Sequence, residues 1–100
     1  MILLVPMDGD NTQESRIVTI GEVKKWATIE IEEGQVVEIN FYDDRSTIEA
    51  WLDAVVVEND YEPVMEFMEN QMMVLVAHTQ RTVDEIVEAY LFRELHQLAI

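Results

Sequence analysis

Two histidines, a handful of arginines and scattered carboxylates carry most of the chemistry this chain can offer. His78 follows an apolar run and precedes Thr79, Gln80 and Arg81. An imidazole at the end of a sheet strand can ligate a metal or act as a base, and a neighbouring guanidinium can receive an anion. A lone histidine in such a loop also commonly bonds to its own turn. Asp8, Asp10 and Glu14 sit behind the first apolar run, where carboxylates can hold a hard cation. Asp8-Gly9-Asp10-Asn11 lacks the positions of an EF-hand loop, however, and turn formation accounts for those residues equally well. Asp60 and Glu62 precede Pro63 at a predicted helix start, where acids complement the dipole. They also place negative charge where bare N–H groups would otherwise cradle an anion.

The remaining candidates are plainer. Arg16 and Arg81 lie near strand ends and either converge on an anionic group or pair with the many acids. His96 falls toward the end of the last helical pattern, where an imidazolium suits the dipole. It is eighteen residues from His78, a spacing that does not show whether they meet. Met65, Met68, Met72 and Met73 read as packing, since thioethers fill irregular core space.

Composition narrows the function classes. Cysteine is absent, which removes disulfides, thiolate nucleophiles and cysteine-ligated metal centres together. Twenty-one acidic residues against six basic ones give a formal net charge of -15. No basic stripe stands ready for phosphates, so nucleic acid and anionic membrane are poor partners, and a basic protein surface is a better one. The opening Met1-Ile2-Leu3-Leu4-Val5-Pro6 has no basic flank and is not a signal peptide, and no apolar run spans a membrane. A cytoplasmic protein is expected. No nucleophile–base–orienter set and no glycine-rich phosphate loop is visible.

The elements that must position these side chains follow from periodicity. Ile2–Met7 reads as a central strand, with Pro6 and the Asp-Gly-Asp-Asn turn to stop it. The signal from Thr12 to Gly21 is weak. Trp26–Glu32 alternates, Glu33-Gly34 turns, and Gln35–Tyr42 returns with Val37, Ile39 and Phe41 on one face, a β-hairpin. Ser46-Thr47-Ile48-Glu49 has the form of a capping box and predicts a helix from Thr47 to about Asp53, burying Ile48, Trp51 and Leu52. Ala54–Val57 is a strand covered on both faces. Pro63 opens a helix striped by Val64, Phe67 and Met68, which ends at Asn70-Gln71. Met72–Ala77 is the next doubly covered strand. Thr82-Val83-Asp84-Glu85, a second capping box, starts a helix running to about Leu95 or Leu98. The order predicts one α/β domain over residues 1–100, with a mixed sheet and helices on its faces.

Three stretches resemble the nitrogenase accessory family linked to iron–molybdenum cofactor biosynthesis. Ile2-Leu3-Leu4-Val5-Pro6-Met7-Asp8 is similar to its opening strand. Ile31-Glu32-Glu33-Gly34-Gln35-Val36 is similar to its acidic-Gly hairpin. Thr82-Val83-Asp84-Glu85-Ile86-Val87-Glu88-Ala89-Tyr90-Leu91 is similar to its last helix. The resemblance implies a ribonuclease-H-like α/β/α domain whose five-stranded mixed sheet has the order 3-2-1-4-5, strand 2 antiparallel. It also implies a non-enzymatic carrier or accessory role, with iron–molybdenum cofactor or an iron–sulfur precursor as cargo. The surviving ligand-side groups would be His78, Arg81, Asp8 and Gly21, and the residues name no metal.

The departures from that family are specific. Its His-Phe-Gly-Arg segment is matched here by Val18-Thr19-Ile20-Gly21-Glu22-Val23-Lys24-Lys25, which keeps Gly21 alone. Its glycine-rich turn before the middle helix falls on Glu58-Asn59-Asp60-Tyr61-Glu62-Pro63-Val64, where only the proline remains. Those glycines would let main chain approach a bulky ligand, and acids close and charge the space. A degenerate ligand site is therefore expected. The runner-up is an acidic interaction or regulatory module without cofactor. A divalent-metal phosphoryl-transfer enzyme built on Asp8 and Asp10 is the weakest reading. Open sheet edges would also allow a homodimer.

Overall fold

Along the first strand, Leu3, Val5 and Met7 alternate with Leu4, and all four are fully buried, so this strand needs cover on both faces. The computed structural model, which describes residues 1–98, provides that cover. Strands β1 (Ile2–Met7), β2 (Lys25–Glu32), β3 (Gln35–Tyr42), β4 (Ala54–Val57), β5 (Met73–Val76) and β6 (His96–Leu98) form one mixed α/β sheet. Its order is β3-β2-β1-β4-β5-β6. The strands β1, β4 and β5 are parallel, β2 is antiparallel to both β1 and β3, and β6 is antiparallel to β5. Helix α2 (Val83–Leu91) packs Val83 and Ile86 on the face carrying Leu3, Val5, Ile29 and Val56. Helix α1 (Met65–Glu69) packs Phe67 on the opposite face against Leu4, Trp26, Val55 and Val74.

The expected hairpin forms, and its turn is as tight as its sequence asks. Glu33 and Gly34 both take positive φ, 52° and 79°, the two-residue geometry that matches strand twist. The register then slips: Glu30 faces Glu38 while Ile31 faces Val36, leaving Val37 as an extra residue in β3. Ile39 and Phe41 pack against the core, but Val37 is 52% exposed.

Three expectations need correction. The sheet has six strands, not five, because β6 adds to the expected 3-2-1-4-5 order. The last helix stops at Leu91 rather than near Leu95 or Leu98. Arg93 takes φ 58°, and its N–H and that of Glu94 bond Tyr90 O and Ala89 O at 3.1 and 2.8 Å. This is a Schellman ending with arginine at the position where glycine usually stands. The third correction concerns residues 47–53, which are not helical. Asp44 takes the Ser46 N–H at 2.9 Å and caps a single 3-10 turn, Arg45–Thr47. Beyond it Asp53 pairs with β1: its Oδ2 accepts Ile2 N–H at 2.8 Å and its own N–H donates to Ile2 O at 3.0 Å. That tether draws the segment out, so Ile48 and Leu52 pack on the α1 side while Trp51 stays 74% exposed.

Candidate functional site

Parallel strands β1, β4 and β5 end on one side of the sheet, so the loops that follow them gather along one crest. Asp8, Asp60, Glu62, His78 and Arg81 all lie in those loops.

Backbone bonds tie the first loop to the third. Arg16 pairs with Thr82 as an isolated bridge, and Ile17 N–H donates to Arg81 O at 2.7 Å. The Asp8 loop and the His78 loop are thus neighbours through main chain. The Asp8 carboxylate, however, serves its own loop. Its Oδ1 accepts Arg16 N–H at 2.8 Å, and Asp8 N–H donates back to Arg16 O at 3.0 Å. Within the loop Asn11 Oδ1 accepts from Gln13 and Glu14 N–H, each at 2.8 Å. Ser15 Oγ accepts from Asn11 N–H at 2.9 Å. These are turn bonds of the kind the residues favour, and among the described residues no group of three His, Asp or Glu side chains is placed to hold a metal ion.

Arg81 faces inward to carbonyls. Its guanidinium donates to Ala77 O at 3.2 Å, Gln80 O at 3.1 Å and His78 O at 2.6 Å, clamping residues 77–81. Below it the expected capping box is complete: Thr82 Oγ1 accepts Glu85 N–H, and Glu85 Oε1 accepts from Thr82 and Arg81 N–H. The Arg81 and Thr82 amides hold the Glu85 carboxyl below its ordinary range, with Arg16 adding a smaller pull. Gly21 sits in a 3-10 turn, Ile20–Glu22, with open space where a Cβ would be. Nothing in its surroundings demands glycine.

The middle loop holds the features that sequence reasoning did not resolve. Asp60 and Glu62 precede α1, whose N-cap position is Val64 with no side-chain cap bond, so neither acid caps the helix. Glu62 is 9% exposed and turned into the crest. Its Oε1 accepts Ile20 N–H at 2.7 Å and its Oε2 accepts Glu58 N–H at 2.9 Å. One carboxylate therefore joins two main-chain donors from segments 42 and 4 residues away. Asp60 Oδ1 lies 2.5 Å from His78 Nε2, bridging the second and third loops. The His96 ring, carried on β6, has its centroid 6.0 Å from that of His78. No sequence signal marks either long-range pairing, because both depend on strand order; the β6 strand that delivers His96 reads as helix.

The crest resembles an anion cradle whose donors are already engaged. Ile20 N–H and Glu58 N–H are the sort of bare amides that receive oxyanions elsewhere, and here a side chain of the same protein fills the role.

No family model matches this chain, and no curated protein matches it. Two solved structures do share its fold. A Methanocaldococcus jannaschii protein named as a "putative dinitrogenase" superposes with a TM-score of 0.78 at 17% identity, over 99% of this chain and 95% of its own. The structure of PH0822 superposes with a TM-score of 0.73 at 12% identity, over 98% and 96%. At such identities the likeness is one of fold alone: the described residues share a dinitrogenase-like fold.

Proposed function

We propose that this chain is a non-enzymatic accessory protein on a dinitrogenase-like scaffold whose ancestral ligand site is closed by its own Glu62. The ribonuclease-H-like assignment belongs to the same reading; it is supported by the β3-β2-β1-β4-β5 order with β2 antiparallel, to which β6 is appended. The observation that carries the functional reading is the buried carboxylate bonded to Ile20 N–H and Glu58 N–H. A cluster cargo dressed in anionic ligands would have to displace that carboxylate and then face Asp60 and Glu58. The Arg81 guanidinium keeps its charge, but its Nη1 and Nη2 engage Ala77, Gln80 and His78 carbonyls rather than an open anion site. The residues present do not fit iron–molybdenum cofactor or an iron–sulfur precursor as cargo.

Anaerobic reconstitution with either cluster, followed by gel filtration and metal analysis, tests this. Wild-type protein is expected to retain no stoichiometric cluster, read as molybdenum and acid-labile sulfide rather than as total metal. Retention at one cluster per chain, lost in Arg81→Ala or Asp8→Asn, would replace the closed-site account with a working carrier.

The accessory role then rests on protein contact, and the charge of -15 favours a basic partner surface. A pull-down eluted in salt steps should release such a partner early, because exposed charges are screened within about 8 Å at physiological ionic strength. A partner that stays bound through high salt would point to apolar docking instead.

A further inference from the structure

We infer that His78 and His96 form a divalent transition-metal site, oriented by Asp60, on the crest side of the β5–β6 edge. The inference goes beyond the accessory reading and does not depend on it. It begins with the tautomer of His78. An ionised carboxylate only accepts, so the 2.5 Å contact with Asp60 Oδ1 requires the proton on His78 Nε2. In the neutral ring that leaves Nδ1 as the lone-pair nitrogen, the ligating form. Carboxylate–imidazole pairs of this kind fix ring orientation and raise basicity at metal centres.

The second ligand comes from the neighbouring strand. His96 pairs with Val76 across the antiparallel β5–β6 ladder, which sets its ring 6.0 Å from that of His78, centroid to centroid. With metal–nitrogen bonds of about 2.0–2.1 Å, a metal lies about 3.2 Å from each ring centre, so two imidazoles at a tetrahedral angle have centroids about 5.2 Å apart. A shared metal requires the rings to close by roughly 1 Å and each to turn one nitrogen toward it. Side chains of His78 and Asp60 are about half exposed, 52% and 44%, leaving water to complete the coordination. Imidazole donors select zinc, copper or nickel over calcium and magnesium, and a net charge of -15 concentrates any cation near the surface. Among the described residues no ready-made set of three ligands exists, so the two imidazoles are assigned as the protein ligands and Asp60 as the group that orients His78.

Calorimetric titration of the full chain with zinc chloride tests the assignment. One equivalent is expected to bind, with His78→Ala and His96→Ala each lowering affinity at least about 10-fold, and Asp60→Asn lowering it about 10–100-fold through lost orientation. Far-UV circular dichroism should match the wild type in all three, since these side chains are exposed. Calcium should not compete. Absence of binding at millimolar zinc, unchanged affinity in either histidine variant, or displacement by calcium would each overturn the proposal; the last would assign the metal to the acidic surface.

Discussion

Glu62 ties two segments of the crest together through one carboxylate. Its two carboxylate oxygens bond amides from otherwise separate segments, Ile20 and Glu58. Truncation removes both acceptors at once, and a part-buried hydrogen bond to a charged group contributes about 1.5–3 kcal/mol. Glu62→Ala is therefore expected to destabilise the protein by about 2–4 kcal/mol, read from urea unfolding. A loss under about 0.5 kcal/mol would mean that water replaces the carboxylate freely, as at an ordinary surface site. The same variant exposes two convergent N–H donors, so weak sulfate binding, absent in the wild type, should appear as a salt-specific rise in its melting temperature. Of the side chains singled out by type, Arg81 and Asp8 turn out to hold their own loops together.

At the scale of elements, both helices end in the same unusual way. Gln71 and Arg93 take φ of 63° and 58°, and each follows a helix whose last carbonyls are recovered by Schellman bonds. The left-handed region costs an L-residue about 1–2 kcal/mol, which glycine avoids at some cost in unfolded-state entropy. Arg93→Gly and Gln71→Gly should each stabilise the protein, by about 0.5–1 kcal/mol in chemical denaturation. Destabilisation by Arg93→Gly would show that the arginine side chain contributes packing the backbone argument ignores. The absence of glycine there is also why α2 read as running on: its apolar spacing continues past Leu91 with no stop signal. The failed helix at 47–53 has the opposite origin. Its capping-box letters are present, but Asp44 claims the Ser46 amide and Asp53 pairs with Ile2 of β1.

For the whole molecule, charge dominates the response to solution conditions. On the hairpin, partial desolvation pushes the Glu30 carboxyl up, helped by Glu32 and by Glu38 directly across the ladder. Because its folded-state pKa is raised, its contribution is favourable below the unfolded value and is lost as pH rises through the folded one. Glu85 and Asp44 act the other way. Amides of Arg81 and Thr82 lower the first, and the Ser46 amide lowers the second, so their stabilisation holds at neutral pH and disappears as pH falls through their depressed values. Stability should thus rise on mild acidification from neutrality and fall again in stronger acid, below the ordinary carboxylate range of about pH 4. A thermal-melt series across pH checks this, and a monotonic decline from neutral pH would remove Glu30 repulsion as a factor. Added salt should raise the melting temperature at neutral pH by screening the charge of -15.

Local pattern alone determined much of this protein. The doubly buried strands β1, β4 and β5, the Glu33-Gly34 hairpin and the Thr82–Glu85 cap were legible because each depends on neighbours within a few residues. The acids of the turn before α1 are read directly from the sequence, but the bonds that Glu62 makes to Ile20 and Glu58 are not. Tertiary structure decided the rest: the sixth strand, the unwinding of 47–53, the engagement of Ile20 and Glu58 by Glu62, and the approach of His96 to His78. Each requires a partner from another element, and which element lies alongside is fixed by strand order rather than by any local run of residues.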